Sequence, residues 1–416
     1  MSAPFDAKPL SEDLPIGWTV QSPVNLEALT ANNPKGKGRW MAMDGRDVNR
    51  SDVDADFAAQ FASGVFTSTA RTLNATPHLS TIATDATNFL CPGAAGTSAL
   101  QASPDGITWS TSATWGASTN AKSIIKAGTR FVMAGSAGDL SAPYVSAIDQ
   151  TAADQVAKAN WTATTNGVTT AIQRGLAYSP QLAMTLLVTG ASGTGARTLA
   201  DAATAWTSIT MTTMTPIGCC WTGAKFMVVD AASSNLINTS TDGVTWTAQY
   251  LPIYWGTGAS SAYSVASDGA GTVVLLMGSS IHYIIVSKNH GATWRVVTLP
   301  IGVDTSASAD AQVNWVNGRF VLSRMNSITA SNHVTLHSST GLSWSEEPPH
   351  LRGFGLTQFL GTFGFKSGVW LGIHTSTAAL TATEDMSRFK LPTSVRRVSS
   401  SVAVGDQYQA YVKVAI

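Results

Sequence analysis

The sequence predicts an all-β protein, a β-propeller of about seven four-stranded blades with a non-repeating N-terminal arm. The first observation behind this prediction is a repeat. Large aromatic residues recur at intervals of 40 to 52 residues: Trp109, Trp161, Trp206, Trp246, Trp294, Trp344 and Phe389. A period in the forties is typical of propellers and solenoids.

The second observation is the pattern between the aromatics. Short apolar runs alternate with Gly, Asn and Asp clusters, as in YSVASDGAGTVVLLMG followed by YIIVSKNHGATW. Alternation and β-branched residues are typical of strands, and the clusters are typical of hairpin turns. Four short antiparallel strands in each repeat make one propeller blade. Seven aromatics therefore predict seven blades within 79–392.

The third observation is a composition poor in charge. Only 12% of the 416 residues are charged, 25 basic and 25 acidic, whereas 44% are hydrophobic. A balanced charge argues against a nucleic-acid binder, which depends on a basic excess.

No apolar run approaches the roughly 18 residues that cross a bilayer, so membrane insertion is not expected. The polar start of the chain does not resemble a secretory signal, and we expect synthesis in a bacterial cytoplasm.

The chain ends are expected to close the ring. Strands are predicted at 398–404 and 408–414, within a C-terminal segment 393–416, and they could pair with an N-terminal strand at 39–43. A composite eighth blade is an alternative form of this closure. Residues 1–78 lack the repeat and contain a short potential helix at 52–64. This segment is expected either to dock on a neighbouring subunit or to wrap its own propeller.

Two short stretches suggest how the turns are built. SPDGITW at 103–109 reappears as STDGVTW at 240–246. The Asp of each can accept backbone N–H bonds across the turn, and the Gly can adopt a backbone conformation closed to other residues. The Trp that follows can fill the space between blades. The stretch is thus predicted to be a hairpin corner.

These stretches resemble the Asp-box, or bacterial neuraminidase repeat, whose motif reads Ser-x-Asp-x-Gly-x-Thr-Trp. The copy at 287–294 has that spacing with Asn for Asp, those at 103–109 and 240–246 are one residue shorter, and 338–344 is degenerate. The resemblance implies a structural role for Ser103, Asp105, Gly106, Trp109, Ser240, Asp242, Gly243, Trp246, Ser287, Asn289, Gly291, Trp294, Gly341 and Trp344.

The family includes sialidases, but their catalytic set is not evident. The resemblance would require an aromatic-Arg-Ile-Pro run before the first repeat, and Arg39 and Arg71 have other neighbours. Glu346 and Glu347 are consecutive on a predicted strand, so they face opposite sides and cannot form the facing carboxylate pair of a glycosidase. No catalytic residue is predicted. A polysaccharide-degrading hydrolase with loop carboxylates remains the alternative.

Metal and cofactor sites are not predicted. His333 and His337 are four residues apart on a predicted strand, which separates them by about 13 Å. The glycine-rich stretch at 189–200 lacks the Gly-Lys-Ser/Thr ending of a phosphate loop. Cys91, Cys219 and Cys220 show no spacing of a disulfide framework and are expected to be reduced, buried thiols.

One loop is a candidate ligand site. Tyr250, Tyr254 and Trp255 cluster in QYLPIYWGTGASS, between two predicted blades. Aromatic rings in such loops can stack on sugar rings. The same residues could instead fill a gap between blades or a subunit interface.

The composition and the resemblance together favour a bacteriophage virion protein of the tail, fibre or collar. In this interpretation the protein is non-enzymatic and present in several copies per particle. It is expected to contact other virion proteins through residues 1–78, and its propeller either binds a host-surface glycan or receptor or is a purely architectural ring or decoration. An assembly factor similar to the Asp-box propellers of photosynthetic membranes is a third alternative; it would be expected to show an export signal and a basic patch.

Overall fold

The protein forms two compact units, Ser68–Thr383 and a second unit made of Met1–Thr67 with Glu384–Ile416. The computed structural model describes residues 19–22, 40–42, 47–49, 51, 65–76, 82–93, 100–111, 115, 121–135, 143–165, 173–189, 196–212, 214–230, 236–251, 262–277, 283–299, 312–326, 332–346, 360–374, 378–385, 387–390 and 409–413.

Seven four-stranded antiparallel sheets are present, which we call blades 1 to 7 in chain order, and they confirm the predicted propeller. The innermost strands are Ala83–Thr84, Ala121–Ala127, Gln173–Ser179, Pro216–Trp221, Ala262–Ser267, Gln312–Val316 and Leu360–Lys366. The second strands are Phe89–Pro92, Arg130–Gly135, Met184–Thr189, Phe226–Asp230, Val273–Met277, Arg319–Asn326 and Val369–His374.

The remaining strands complete each blade. The third strands are Leu100–Ser103, Tyr144–Ala147, Ala196–Ala200, Leu236–Ser240, Tyr283–Ser287, Asn332–Ser338 and Ala378–Asp385. The outermost strands are Ser110–Thr111, Thr162–Ala163, Thr207–Ser208, Thr247–Tyr250, Arg295–Thr298, Ser345–Glu346 and, for blade 7, Val65–Thr72. Each innermost strand contacts that of the next blade, and blade 7 contacts blade 1, so the ring is closed.

Apolar side chains on both faces of the middle strands hold the blades together. Phe226–Asp230 and Leu236–Ser240 are buried along their whole length, since each has a blade on either side. Six apolar clusters each join two consecutive blades. A fully buried Leu or Phe such as Phe226 contributes about 1.5–3 kcal/mol. The core is therefore distributed around the ring.

The ring is closed differently from the prediction. Blade 7 takes its outermost strand, Val65–Thr72, from within the segment 1–78 that the sequence sets apart as an arm. Arg71 Nε donates to Thr381 Oγ1 of the third strand at 2.9 Å. Phe389, expected at the seventh repeat turn, lies instead in Arg388–Lys390, which pairs with Asp47–Asn49.

The terminal unit contains its own strands. Trp40–Ala42 pairs with Gln409–Lys413, which confirms the predicted pairing of 39–43 with 408–414. Thr19–Ser22 flanks Gln409–Lys413 on the other side. In the described part of the chain these three strands form a three-stranded sheet and no eighth four-stranded blade. The predicted helix at 52–64 and strand at 398–404 lie outside the described residues.

A short helix accounts for the longest repeat interval. Ala152–Val156 and the 3-10 helix Lys158–Asn160 stand between the third and outermost strands of blade 2. Thr151 caps the first helix, because its Oγ1 accepts the Asp154 N–H at 3.1 Å. This insertion lengthens the interval between Trp109 and Trp161 to 52 residues.

Candidate functional site

Two features of the ring repeat from blade to blade: the turns that carry the Ser and Gly motif, and the first residues of the innermost strands. We call the segments 103–109, 240–246, 287–294 and 338–344 the repeat turns. Each connects the third strand of its blade to the outermost strand. In all four the Gly N–H donates to the Ser Oγ at 2.8 Å.

The acid of a repeat turn is used to hold the backbone. Asp105 Oδ1 accepts the N–H groups of Ile107 and Thr108, both at 2.8 Å. Asp242 Oδ1 accepts those of Val244 at 2.8 Å and Thr245 at 2.7 Å. The Ser hydroxyl donates to the same oxygen in both turns. Each carboxylate is thus a structural acceptor, as the sequence predicts.

These hydrogen bonds change the acidity of the two carboxyl groups. The N–H groups of Val244 and Thr245 and the Ser240 hydroxyl lower the pKa of Asp242 to about 2. Partial burial acts to raise the pKa of Asp105, but the N–H groups of Thr108 and Ile107 outweigh it, and that pKa is also lowered. Both groups are therefore held as carboxylates.

The third repeat turn replaces the acid by Asn289 and contains one residue more. Asn289 Oδ1 accepts the Thr293 N–H at 2.8 Å, and Asn289 Nδ2 donates to Thr293 Oγ1 at 2.9 Å. The additional residue, His290, adopts a left-handed φ of 57°. Its Nδ1 donates to the Thr222 carbonyl oxygen of blade 4 at 2.9 Å. The longer turn thereby gains a bond to the preceding blade.

The glycines of the repeat turns require a positive φ and lie against the preceding blade. Their φ values are 74°, 75°, 84° and 75° for Gly106, Gly243, Gly291 and Gly341. Each lies beside a side chain of the blade before it: Thr381, Met184, Met227 and Val274 respectively. A repeat turn is thus a contact between blades as well as a hairpin corner.

The tryptophans of these turns complete the contact. The Nε1–H of Trp109, Trp294 and Trp344 donates to the carbonyl of its own turn glycine at 3.3, 3.0 and 2.8 Å. Trp109 and Trp344 are buried in apolar clusters, and Trp246 and Trp294 pack against others. This arrangement agrees with the predicted filling of space between blades.

Blades 2 and 3 lack the motif but keep the contact through other residues. At blade 2, the Asp149 N–H donates to Asp85 Oδ2 of blade 1 at 2.7 Å, and Ala86 N–H donates back to Asp149 Oδ1 at 3.2 Å. At blade 3, Arg130 of blade 2 donates to the carbonyls of Ala203 at 2.7 Å and Ala200 at 2.8 Å. Sequence reasoning missed these residues because no repeated motif marks them.

The other candidates lie apart from one another. Tyr250 ends the outermost strand of blade 4 and is 71% exposed. Tyr254 and Trp255 lie outside the described residues, so the predicted aromatic cluster is not described. His333 and His337 both lie on the strand Asn332–Ser338, and Glu346 lies on an outermost strand, as predicted. Within the described ranges no group of three His, Cys, Asp or Glu could hold a metal ion.

The second repeated feature is a β-bulge in five innermost strands. The register with the second strand shifts by one residue at the same place each time, and the extra residue is the second of its strand. These residues are Lys122, Arg174, Ile217, Tyr263 and Gly361. Bulges are frequent beside functional sites, where they redirect a side chain. We call this set the bulge ring.

A small residue follows each bulge: Ser123, Gly175, Gly218, Ser264 and Thr362. Gly175 lies near Cys219 of blade 4, and Gly218 near Val265 of blade 5. Ser264 Oγ accepts the Val313 N–H of blade 6 at 3.2 Å. Small residues therefore let neighbouring innermost strands approach closely. The triplets AKS, QRG, PIG, AYS and LGT were the only signal of this feature in the sequence.

The three cysteines are buried free thiols, which confirms the prediction. Burial raises the pKa of Cys220 to about 12 and the pKa of Cys91 and Cys219 well above the ordinary value. These thiols are core residues of the blades.

Comparisons with known proteins show the fold alone. A streptogramin B lyase is 8% identical with a TM-score of 0.56, covering 77% of this chain and 98% of its own. Virginiamycin B lyase from Staphylococcus aureus is 9% identical, with a TM-score of 0.56 and coverages of 77% and 99%. A structure described as YCF48 bound to D1 peptide is 13% identical, with a TM-score of 0.53 and coverages of 76% and 97%.

No family model matches the sequence, and no curated protein matches it. The shared feature of these solved structures and this chain is therefore the propeller architecture. In the described part of the chain, no helix has the length and hydropathy to span a membrane.

Proposed function

We propose that the protein is a non-enzymatic Asp-box propeller that serves as a structural and binding component of a bacteriophage particle. One observation carries the non-enzymatic part of the proposal. The acids of the repeat turns, Asp105 and Asp242, accept backbone N–H bonds within turns that pack on the preceding blade. The feature that most resembles a catalytic motif thus maintains the ring.

Other described carboxylates are used in the same way. Asp85 accepts the N–H groups of Thr87 and Asn88 at 2.8 and 2.6 Å, and Asp268 accepts that of Thr272 at 2.9 Å. Asp230 accepts the Thr215 N–H at 2.9 Å. A glycosidase needs two carboxylates facing one substrate bond. Because these carboxylates accept hydrogen bonds from nearby backbone N–H groups, they support a structural role for the acids rather than a catalytic one.

The particle assignment is supported by composition. The chain has a net charge of zero and a charged content of 12%, so hydroxyl, amide and backbone groups supply much of its polarity. Such a surface suits permanent packing into an assembly, where charged side chains would have to be desolvated. We place the protein in the tail, fibre or collar of the virion, in several copies. Residues 1–78 contact other virion proteins, and the propeller binds a host-surface glycan.

The experiment for location uses particles and free protein from one lysate. Particles from a culture that carries the gene are banded in a density gradient, and each fraction is quantified by mass spectrometry. We expect this chain to co-sediment with capsid proteins at a constant ratio. Recovery only in the slowly sedimenting soluble fraction would contradict the proposal.

The experiment for activity uses the full chain with intact host cells and extracted surface polysaccharide. We expect binding to cells and no release of reducing sugar over background. Release of product in proportion to enzyme concentration would establish the polysaccharide-degrading alternative.

A further inference from the structure

We propose that the contact between blades 1 and 2 binds a calcium ion through the side-chain amide oxygens of Asn88, Gln150 and Gln155. Asn88 ends the turn between the innermost and second strands of blade 1. Gln150 and Gln155 lie between the third and outermost strands of blade 2, where the helix Ala152–Val156 is inserted. Such an ion acts inside the ring, whatever the propeller binds outside it.

The three amide oxygens are buried and have no hydrogen-bond partner in the described structure. Asn88 and Gln155 are 0% exposed, so bulk solvent does not hydrate their oxygens. Buried polar side chains are nearly always hydrogen-bonded, because an unpaired buried oxygen loses its hydration without compensation. Three such oxygens at one contact therefore point to a bound species that they share.

One hydrogen-bond network holds the three amides together. Asn88 Nδ2 donates to the Gln150 carbonyl at 2.8 Å. Gln150 Nε2 donates to the Ala147 carbonyl and to Ser146 Oγ, both at 3.3 Å, and Gln155 Nε2 donates to the same Oγ at 3.2 Å. A carbonyl oxygen can only accept, so the nitrogens of Asn88 and Gln150 must face these carbonyls and their oxygens must point elsewhere.

Two carboxylates stand beside these amides. Asp85 Oδ1 accepts the Asn88 N–H at 2.6 Å, and Asp85 Oδ2 accepts the Asp149 N–H at 2.7 Å. Asp149 is the neighbour of Gln150 in the chain. Two negative charges at one contact disfavour each other, and a cation held near both relieves that repulsion. The charge of the contact therefore favours a cation as the shared species.

A calcium ion fits these oxygens better than a water molecule does. All three unpartnered atoms are acceptors, whereas one water molecule can donate only two hydrogen bonds. Ca²⁺ binds roughly six to eight oxygens of amides, carboxylates and waters in a flexible geometry, whereas Mg²⁺ demands a regular octahedron. Because amides supply most of the oxygens, the site agrees with the finding that no described group of three His, Cys, Asp or Glu could hold a metal.

Blade 2 has a structural reason to use an ion. It lacks the repeat turn with which other blades pack on the blade before them, and the helix Ala152–Val156 contacts the third strand of blade 1 instead. A cation held by side chains of both blades joins them across this contact. Ca²⁺ should therefore stabilise the folded ring, since a ligand that binds only the folded state raises its stability.

The first test measures the Tm of the full chain in EGTA and then in Ca²⁺ or Mg²⁺ at equal concentrations. We expect Ca²⁺ to raise the Tm by a few degrees, with a dissociation constant on the order of 0.1–1 mM because few of the ligands are charged. Mg²⁺ should have little effect. No rise in Ca²⁺ would leave the oxygens to buried water and overturn the proposal. An equal rise in Mg²⁺ would also overturn it, since surface carboxylates would explain that result.

Terbium luminescence locates the ion. Tb³⁺ takes the oxygen ligands of Ca²⁺, and a nearby indole sensitises its emission. Trp161 Nε1 donates to the Gln155 carbonyl at 2.7 Å, so an indole lies beside the proposed site. We expect emission that Ca²⁺ displaces and that Trp161→Phe weakens, whereas Trp315→Phe on blade 6 leaves it unchanged. An equal loss of emission in the two variants would place the ion elsewhere.

Side-chain variants test the ligands themselves. Gln155→Met removes one oxygen at similar side-chain size, and the dissociation constant for Ca²⁺ should rise by about tenfold or more. Gln101→Met is the matched control. Gln101 is also buried, but its amide is bonded on both sides to Ala75, so this variant should keep the full rise of Tm in Ca²⁺. Asp149→Asn alters an exposed residue and should weaken Ca²⁺ binding severalfold through the lost charge.

The variants also define the results that contradict the proposal. A wild-type response to Ca²⁺ in Gln155→Met would mean that the ion does not bind at this contact. An equal loss of the response in Gln101→Met would assign the effect to the general stability of the blades. If Gln155→Met does not fold, Asp149→Asn decides the question, and an unchanged dissociation constant in that variant would overturn the proposal.

Discussion

Gly243 of blade 4 lies so close to Met184 of blade 3 that a Cβ atom at Gly243 would stand 2.6 Å from the Met184 sulfur. Gly106 has the same relation to Thr381 of blade 7, at 2.8 Å from its Cγ2. Glycine in these turns thus serves two purposes. It allows the left-handed backbone, and it leaves room for the neighbouring blade.

The first prediction separates these two purposes. Gly243→Ala should destabilise the protein by about 2–3 kcal/mol, because a left-handed φ costs about 1 kcal/mol and the added methyl must displace Met184. Gly368→Ala is the matched control. Gly368 has a φ of 83° and open space around it, so only the backbone cost of about 1 kcal/mol should appear. Urea unfolding measures both. Equal destabilisation of the two variants would show that the contact with Met184 does not matter.

The second prediction concerns the role of the turn acid. Asp105→Ala removes the acceptor of the Ile107 and Thr108 N–H groups, and we expect a loss of about 1 kcal/mol in unfolding free energy. Asp105→Asn should lose less, because Asn289 Oδ1 in the third repeat turn still accepts one such bond, from the Thr293 N–H. Binding to host cells should stay at the wild-type level in both variants. Loss of binding at unchanged stability would make this acid part of a site.

The turns show how far the sequence could predict this structure. A repeated local hydrogen-bond pattern leaves a repeated local sequence, and therefore the roles of Asp242 and Gly243 could be predicted. The contacts of Arg130 with Ala203 and of Asp85 with Asp149 join residues more than sixty positions apart and have no motif. Ring closure by Val65–Thr72 was missed for a related reason. A single strand pairing across the whole chain leaves no period to detect.

The bulge ring repeats around the propeller as the turns do, but it could not be predicted from the sequence. Its residues differ in chemistry, from Lys122 to Gly361, so residue identity does not reveal the position. Only the backbone register shows that they are equivalent. Equivalent backbone positions that are filled by unlike residues are invisible to a search for sequence repeats, so the sequence did not predict this feature.

The third prediction uses acid to test the same turns. The pKa of Asp242 is lowered to about 2 in the folded protein, below its unfolded value of about 3.9. A group with a depressed pKa contributes stability above the unfolded pKa and loses it as the pH falls through the folded pKa. The difference in Tm between the wild type and Asp242→Asn should therefore shrink between about pH 4 and pH 2.

The reverse substitution provides the control for that prediction. Asn289→Asp places an ionisable group in a turn that already offers the Thr293 N–H to its side-chain oxygen. Its Tm should fall more steeply than that of the wild type over the same acid range. If the difference in Tm between either variant and the wild type stayed constant across that pH range, the turn would not favour the carboxylate form.

The fourth prediction addresses the buried thiols. With a pKa of about 12, only about one Cys220 thiol in ten thousand is ionised near pH 8, and the thiolate is the reactive form. All three thiols, Cys91, Cys219 and Cys220, are buried. They can therefore be alkylated only when local unfolding of the blades exposes them. Iodoacetamide should leave the native protein unmodified on the time scale in which it labels a free cysteine. In concentrated guanidinium chloride all three should react, as intact-mass spectrometry would show. Rapid labelling of Cys219 in the native protein would instead mean that the contact between blades 3 and 4 opens readily. Hydrogen exchange of the Phe226–Asp230 amides would then measure the free energy of that opening.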